Sequence, residues 1–186
     1  MKETEIILRA PEPADVDLLY KWENDPEIWK VSNTITPFSK YILEKYIENA
    51  HLDIYQVRQL RLMIDVKTGD SRARTIGTID LFDFDPYHLR AGVGILIGDR
   101  SDRNKGFATQ ALKLFVTYCF ETLQLHQLFC NITTNNADSL RLFKKCGFRV
   151  TGRKADWLKT SKGFVEELML QLINKPDTDL KITKPS

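Results

Sequence analysis

Arg103-Asn104-Lys105-Gly106-Phe107-Ala108 stands between an apolar run and a long amphipathic stretch, and its reading decides the fold. A helix that opens here presents backbone N–H groups with no intrahelical acceptor, and those donors together with the helix dipole favour an anion. Gly106 lets the backbone close on that anion without an intervening side chain, and Arg103 and Lys105 add positive charge. Hydrogen bonds to an ionised oxygen are roughly twice as strong as neutral ones, so the turn predicts a pyrophosphate cradle. It carries neither the GxxxxGK[ST] nor the GxGxxG pattern, and a nucleotide-binding protein of another fold thereby loses its main support.

Outward from the turn, Ala108, Ala111, Leu112, Phe115, Val116, Cys119, Phe120 and Leu123 recur at helical spacing and predict a helix with one buried face. Leu128 to Thr133 predicts a strand. Asn135-Asn136-Ala137-Asp138 starts a short helix running to about Cys146, with Gly147 as its cap. Phe148 to Thr151 and Phe164 to Ile173 predict strands, with Lys162-Gly163 turning the last hairpin. Upstream, Ala91 to Ile97 is β-branched, punctuated by glycine, and fit for a central strand. Leu60, Leu62 and Ile64 alternate, Lys67-Thr68-Gly69-Asp70 turns, and Thr75 to Phe84 completes a hairpin before the turn at Asp83, Asp85, Pro86 and Tyr87. Glu5 to Arg9 predicts a first strand, broken by Pro11 and Pro13. Helices follow from about Ala14 to Asn24, ended by Asp25-Pro26, and from about Ser39 to Ala50. Helices layered on a sheet define an α+β (α/β layered) domain over residues 1–173, with a polar tail over 174–186.

With 186 residues, 28% charged and 42% hydrophobic, the chain suits one core without staples. A net charge of +2 gives no nucleic-acid footprint. No apolar run approaches the roughly 20 residues of a membrane span, so no membrane partner is expected and the default location is cytoplasmic. Cys119, Cys130 and Cys146 sit among apolar neighbours with no metal-ligand spacing. They read as reduced core thiols, with Cys146 the one exception to consider as a nucleophile, and no metal is expected.

Arg103-x-x-Gly106-x-Ala108 resembles the Q/R-x-x-G-x-G/A motif of the GNAT acyltransferase superfamily. Asn136-Ala137-Asp138-Ser139-Leu140-Arg141-Leu142-Phe143-Lys144-Lys145-Cys146-Gly147-Phe148 is similar to that superfamily's N-x-x-(A/S)-hydrophobic-x-L-Y-x-K-x-G-F segment. The likeness extends through Ile76-Gly77, the strand from Arg90 to Ile97 and the hairpin near Gly163, and it leans toward the branch of ribosomal-protein-alanine and spermidine N-acetyltransferases. It implies a mixed, mostly antiparallel seven-stranded sheet splayed near its centre with helices on both faces. It also implies acetyl-CoA as co-substrate, lying between the strand that ends near Ile97 and the one that begins near Phe129. Backbone groups of Leu96 and Ile97 would pair with pantetheine. Amides from Arg103 through Asn104, Lys105, Gly106 and Phe107 to Ala108 would hold the pyrophosphate, with Asn136, Ser139 and Phe143 on the other side.

The activity so implied is direct transfer of an acetyl group to a primary amine, on a polyamine-like small molecule or a protein N-terminus; a homodimer is compatible with it. A backbone N–H near Ile97 would stabilise the oxyanion. Many relatives protonate the departing thiolate with a tyrosine where this chain has Phe143, which donates no proton. An acyl-CoA-binding module with weak or no catalysis is therefore the alternative. Asp80, between Ile79 and Leu81 in an alternating strand, is the first candidate catalytic carboxylate. Asp83, Asp85, Glu166 and Glu167 are further ones, Asn131 stands where some relatives carry a glutamate, and His88, in the turn after Tyr87, reads as a surface or hydrogen-bonded residue ahead of a base. His126 reads as structural and His51 has no context. Trp22, Trp29 and Tyr41 would wall the acceptor site or pack the core.

Overall fold

Phe82 marks where the sheet divides. The computed structural model describes residues 4–175 except 33 and 70. Its strands are β1 (Thr4–Arg9), β2 (Leu60–Thr68), β3 (Arg74–Asp85), β4 (Arg90–Ile97), β5 (Gln127–Thr133), β6 (Arg149–Thr160) and β7 (Gly163–Ile173), in one sheet of order β1-β2-β3-β4-β5-β7-β6. β4 and β5 run parallel and the other neighbours antiparallel. The β4–β5 pairing lasts for Arg90↔Gln127, Ala91↔Leu128 and Gly92↔Phe129. β4 stays paired with β3 out to Ile97, and β5 with β7 out to Thr133, so beyond Gly92 and Phe129 the two strands part. At that point Phe82 covers Gly92 so closely that a Cβ there would lie 2.2 Å from its ring, and its edge meets Phe129 at 5.9 Å. These two rings form a wedge at the apex of the splay.

The helices are α1 (Val16–Glu23), α2 (Pro26–Ser32), α3 (Lys40–Glu48), α4 (Ile54–Val57), α5 (Phe107–Thr117) and α6 (Ala137–Lys145). Side chains alternate across a strand, and each face of the sheet carries its own core. One face sets Ile64, Ile79, Leu81, Val93, Leu128 and Leu170 against Ala111, Leu112 and Phe115 of α5 and Phe143 of α6. The other sets Met63 and Leu96 against Leu19 and Trp22 of α1, Ile28 of α2, and Leu43 and Ile47 of α3. Burying each such Leu or Phe contributes about 1.5–3 kcal/mol.

Local chemistry explains the ends. Ser39 Oγ accepts from Ile42 N–H at 3.2 Å and opens α3, Asn136 Oδ1 accepts from Ser139 N–H at 3.1 Å and opens α6, and Gly147 closes α6 at φ +92°. One expectation holds with an element added, and two need correction. Asp25-Pro26 does end α1, but Pro26 is also the first residue of α2, a position where its missing N–H costs nothing. The helix after the turn leaves α-geometry at Thr117, and Tyr118–Thr122 continue it as a π-helical turn. The strand expected to end at Thr151 runs on to Thr160 as β6, because its bulges break the two-residue period. The turn expected at 67–70 is described up to Gly69, Asp70 lying outside the described residues. Asn174 is tied down by its N–H to His126 O at 2.8 Å, and residues 176–186 of the expected tail lie outside the described residues.

Candidate active site

Between the parted ends of β4 and β5 lies a cleft of about 450 Å³ whose mouth is the turn into α5. Arg100–Asp102 form a 3-10 turn, Asn104 sits at φ +62° and Gly106 at φ +84°. Both are left-handed, a conformation that asparagine tolerates and glycine adopts freely. A Cβ on Gly106 would meet no atom within 4 Å, so the space in front of it is open to a ligand. The first helical bond is Gln110 N–H to Gly106 O at 3.1 Å, and no side chain caps the helix. Phe107, Ala108 and Thr109 therefore turn their N–H groups to the cleft they line.

The turn is held from behind. Asp102 is 3% exposed and takes both guanidinium nitrogens of Arg74, from β3, at 2.7 and 2.5 Å. Arg74 holds the Asp102 carboxyl below its usual range, with Lys105 adding to the effect from 3.9 Å. Arg103 donates to Ile97 O and Gly98 O, each at 3.1 Å, and so fastens the turn to the end of β4.

The free edge of β4 follows from register. Gly98 N–H donates to Ile76 O at 2.9 Å, directly across from it. Alternation along an antiparallel strand then sends the N–H and C=O of Val93, Ile95 and Ile97 away from β3 and into the gap. Those of Leu96 face β3: a Cβ on Gly77 would lie 1.9 Å from Leu96 O. The backbone groups open to the gap are therefore those of Ile95 and Ile97, while those of Leu96, also expected there, face β3.

Of the residues singled out in the sequence, Leu96, Ile97, Arg103, Asn104, Gly106, Phe107, Ala108, Asn136 and Ser139 line this one cleft. Lys105 turns to Asp102 instead. Phe143 is 3% exposed and packs edge-on to Phe148 at 5.0 Å, inside the core rather than on the cleft wall. Sequence reasoning missed Asp138, Arg141, Leu142 and Lys145, which line the cleft from α6. Their spacing of i, i+3, i+4 and i+7 is one helical face, and that signal was there to be used. It missed Asp102 and Arg74 because their pairing joins distant segments.

Asp80 lies on the other face of the sheet, opposite Gly94. Its carboxylate is held by Arg61 Nε at 2.6 Å and Nη2 at 3.2 Å, while Glu23 takes Arg61 Nη1 at 2.6 Å. Two carboxylates on one guanidinium leave that wall net negative, and both Asp80 oxygens are taken up by Arg61. Tyr46 stacks on Arg61 at 5.6 Å; burial raises its phenol pKa, and the charge of Arg61 opposes that rise.

The remaining candidates scatter. Asp83 is exposed at φ +48°. Asp85 caps its own turn through His88 N–H and Tyr87 N–H, at 3.0 and 3.1 Å, and those bonds lower its pKa. Glu166 pairs with Arg153 and Glu167 with Lys154. His51, His88, His126 and Asn131 are exposed. Trp22, 2% exposed, is core packing against Gly98, where a Cβ would lie 2.1 Å from its Nε1. Trp29 donates to Glu23 O, and Tyr41 faces solvent. Burial pushes Cys119 and Cys130 up to about 12 and raises Cys146, which leaves none of them poised as a thiolate. A larger cavity of about 760 Å³ lies between the β1–α1 connection and α3, but Glu12, Asp17, Glu44 and Glu48 line it against Lys40 and His51. That charge repels a phosphate.

Among the described residues no helix is long and apolar enough to cross a membrane, and no group of three His, Cys, Asp or Glu is placed to hold a metal. A splayed sheet with a phosphate turn at the open end defines a class of acyl-group transferases, and comparison agrees: the chain belongs to the GNAT acetyltransferase family, whose acetyltransferase (GNAT) domain matches residues 5–149. It is an N-acetyltransferase of that family, whose co-substrate is acetyl-CoA. It is 29% identical to an N-acetyltransferase of Bacillus licheniformis, p20, over 91% of this chain and 93% of that one. It is 23% identical to a spermidine N(1)-acetyltransferase of Vibrio cholerae over 78% of this chain and 79% of that one. The crystal structure of the Vibrio cholerae spermidine N-acetyltransferase in complex with CoA and spermine has the same fold, with TM-score 0.79 and 21% identity over 90% of this chain and 95% of that one.

Proposed function

We propose that this chain moves an acetyl group from acetyl-CoA directly to a primary amine, a polyamine-like small molecule ahead of a protein N-terminus. The observation that carries the reading is the cleft between β4 and β5, with uncapped N–H groups of Phe107 to Thr109 at its mouth and the unpaired edge of β4 along its wall. In this reading Gly106 to Thr109 bind the pyrophosphate, with Arg141 and Lys145 of α6 supplying positive charge. Ile95 and Ile97 offer backbone N–H groups along the pantetheine arm and to the developing oxyanion. Asn136 and Ser139 close the other side. Holding thioester and amine together supplies most of the rate, since well-oriented reactants gain up to about 7–11 kcal/mol.

The preference for a cationic acceptor is supported by the negative wall of Glu23 and Asp80 around Arg61, and by relatives called spermidine N(1)-acetyltransferases in Vibrio cholerae and Escherichia coli. Asp80 keeps that wall anionic, and the amine gives its proton to water. The departing thiolate likewise takes its proton from water, because Phe143 is buried and has none to give. Reduced, unpaired cysteines support a cytoplasmic setting, and a dodecameric relative from Vibrio cholerae supports self-association. Thiol release from acetyl-CoA, measured with spermidine, N-terminal peptides and amino sugars, tests the proposal. Spermidine is expected to be the fastest. The second reading, a CoA-binding module, is favoured by Phe143, and it prevails if CoA binds by calorimetry while no amine releases thiol.

A further inference from the structure

Lys154, Glu167 and Trp157 form a cluster that the acetyl-CoA cleft does not use. Glu167 lies on β7 between Thr133 of β5 and Lys154 of β6. Leu168 and Leu170 pack into the core shared with α5 and α6, so strand alternation puts Glu167 on the opposite face, the one that carries Asp80 and Phe82. Glu167 is 5% exposed, a depth at which a carboxylate needs a partner. The partner is Lys154 Nζ at 2.7 Å, and the same ammonium stands 4.8 Å from the centroid of the Trp157 ring. A buried carboxylate and an indole face around one ammonium is the chemistry that recognises a primary alkylammonium ion.

The backbone is bent to make it so. Residues three apart in a regular strand point to opposite faces, yet Trp157 covers Lys154. The register of β6 on β7 breaks between Lys154 and Leu158, and inside that bulge Asp156 is held at φ +47°. A non-glycine residue there carries strain of the sort that persists at binding sites, and bulges re-aim side chains. The lysine is also the loose member: its side chain is 35% exposed against 7% for that of Glu167.

We propose that Glu167 and Trp157 are an ammonium subsite for a diamine or polyamine acceptor, and that Lys154 is its internal occupant, displaced by one ammonium of the bound amine. The inference rests on the amine-acetylating reading for the identity of its ligand. It makes Lys154 a brake: the chain discriminates between amines with one cation and amines with two through a site that its own lysine fills.

The test is calorimetric titration of 1,4-diaminobutane and of butylamine into the full chain with CoA present, comparing wild type, K154A and K154A/E167Q. K154A is expected to bind the diamine about fivefold more tightly or better, a gain larger than any seen with butylamine, which cannot reach the subsite and the acceptor site at once, and the second substitution to abolish the gain. An unchanged diamine affinity in K154A, or a gain that survives E167Q, overturns the subsite. If K154A/E167Q fails to fold, K154A/W157L replaces it, with the same loss expected. Thiol release keeps the two readings apart. Tighter diamine binding without turnover of any amine sinks acyl transfer alone, and turnover with no effect of K154A sinks the subsite alone.

Discussion

In the proposed reading Gly106 shapes the cofactor turn through its conformation, not its packing. Nothing lies within 4 Å of a Cβ placed there, but φ is +84°. Gly106→Val is expected to lower stability by about 1–2 kcal/mol and to raise the KM for acetyl-CoA about tenfold or more by placing a side chain before the amides of α5. Steady-state kinetics and thermal melts check both, and an unchanged KM would show that the pyrophosphate sits elsewhere. Asp80 separates charge from proton transfer. Asp80→Asn is expected to raise the KM for spermidine severalfold and leave the pH profile of kcat in place, whereas loss of a titrating limb would identify Asp80 as the base. Asp102 gives a pH dependence with a definite sign. Arg74 lowers its pKa in the folded chain, so its contribution is present above the unfolded value near 4 and fades as pH falls through the lower folded value. Thermal melts below about pH 4 should therefore fall more steeply for wild type than for Asp102→Asn; equal slopes would mean that the pair stabilises nothing.

At the scale of elements, the junction of β4 with α1 is set by one glycine. Gly98→Ala would put a methyl 2.1 Å from Trp22 Nε1, and overpacking of this kind costs typically 1–3 kcal/mol. Since Gly98 continues the strand whose edge forms the cleft, CoA affinity should fall with stability, and a variant with unaltered melting would refute the close packing. The same scale shows what the sequence made legible. The turn at 103–108, the stripe of α5 and the Asn136 cap declared themselves, because each is a local pattern with a local cause. Arg74 with Asp102, Arg61 between Glu23 and Asp80, and the bulge at Asp156 did not, since each depends on which distant strands become neighbours. Phe143 was legible as a missing tyrosine, but its burial against Phe148 depends on how α6 seats on the sheet. The backbone assignment near Ile97 shifted by one residue for the same reason: alternation is fixed by register, and register by the pairing with β3.

At the scale of the molecule, two cavities compete for the co-substrate, and charge decides between them. The larger one sets four carboxylates against Lys40 and His51; in the smaller, Arg103, Arg141 and Lys145 balance Glu27, Asp102 and Asp138, and uncapped amides of α5 add donors. A ligand that binds only the native chain raises its stability by mass action, by about 2.7 kcal/mol at a hundred times its Kd. CoA should therefore raise the melting temperature, and ATP at equal concentration should raise it less. Hydrogen exchange with and without acetyl-CoA tests the central claim most directly. Protection is expected in residues 93–109, which span the free edge of β4 and the turn into α5, and in residues 136–145 of α6. Protection confined to residues 10–17 and 40–51, around the acidic cavity, with none in 93–109, would contradict it.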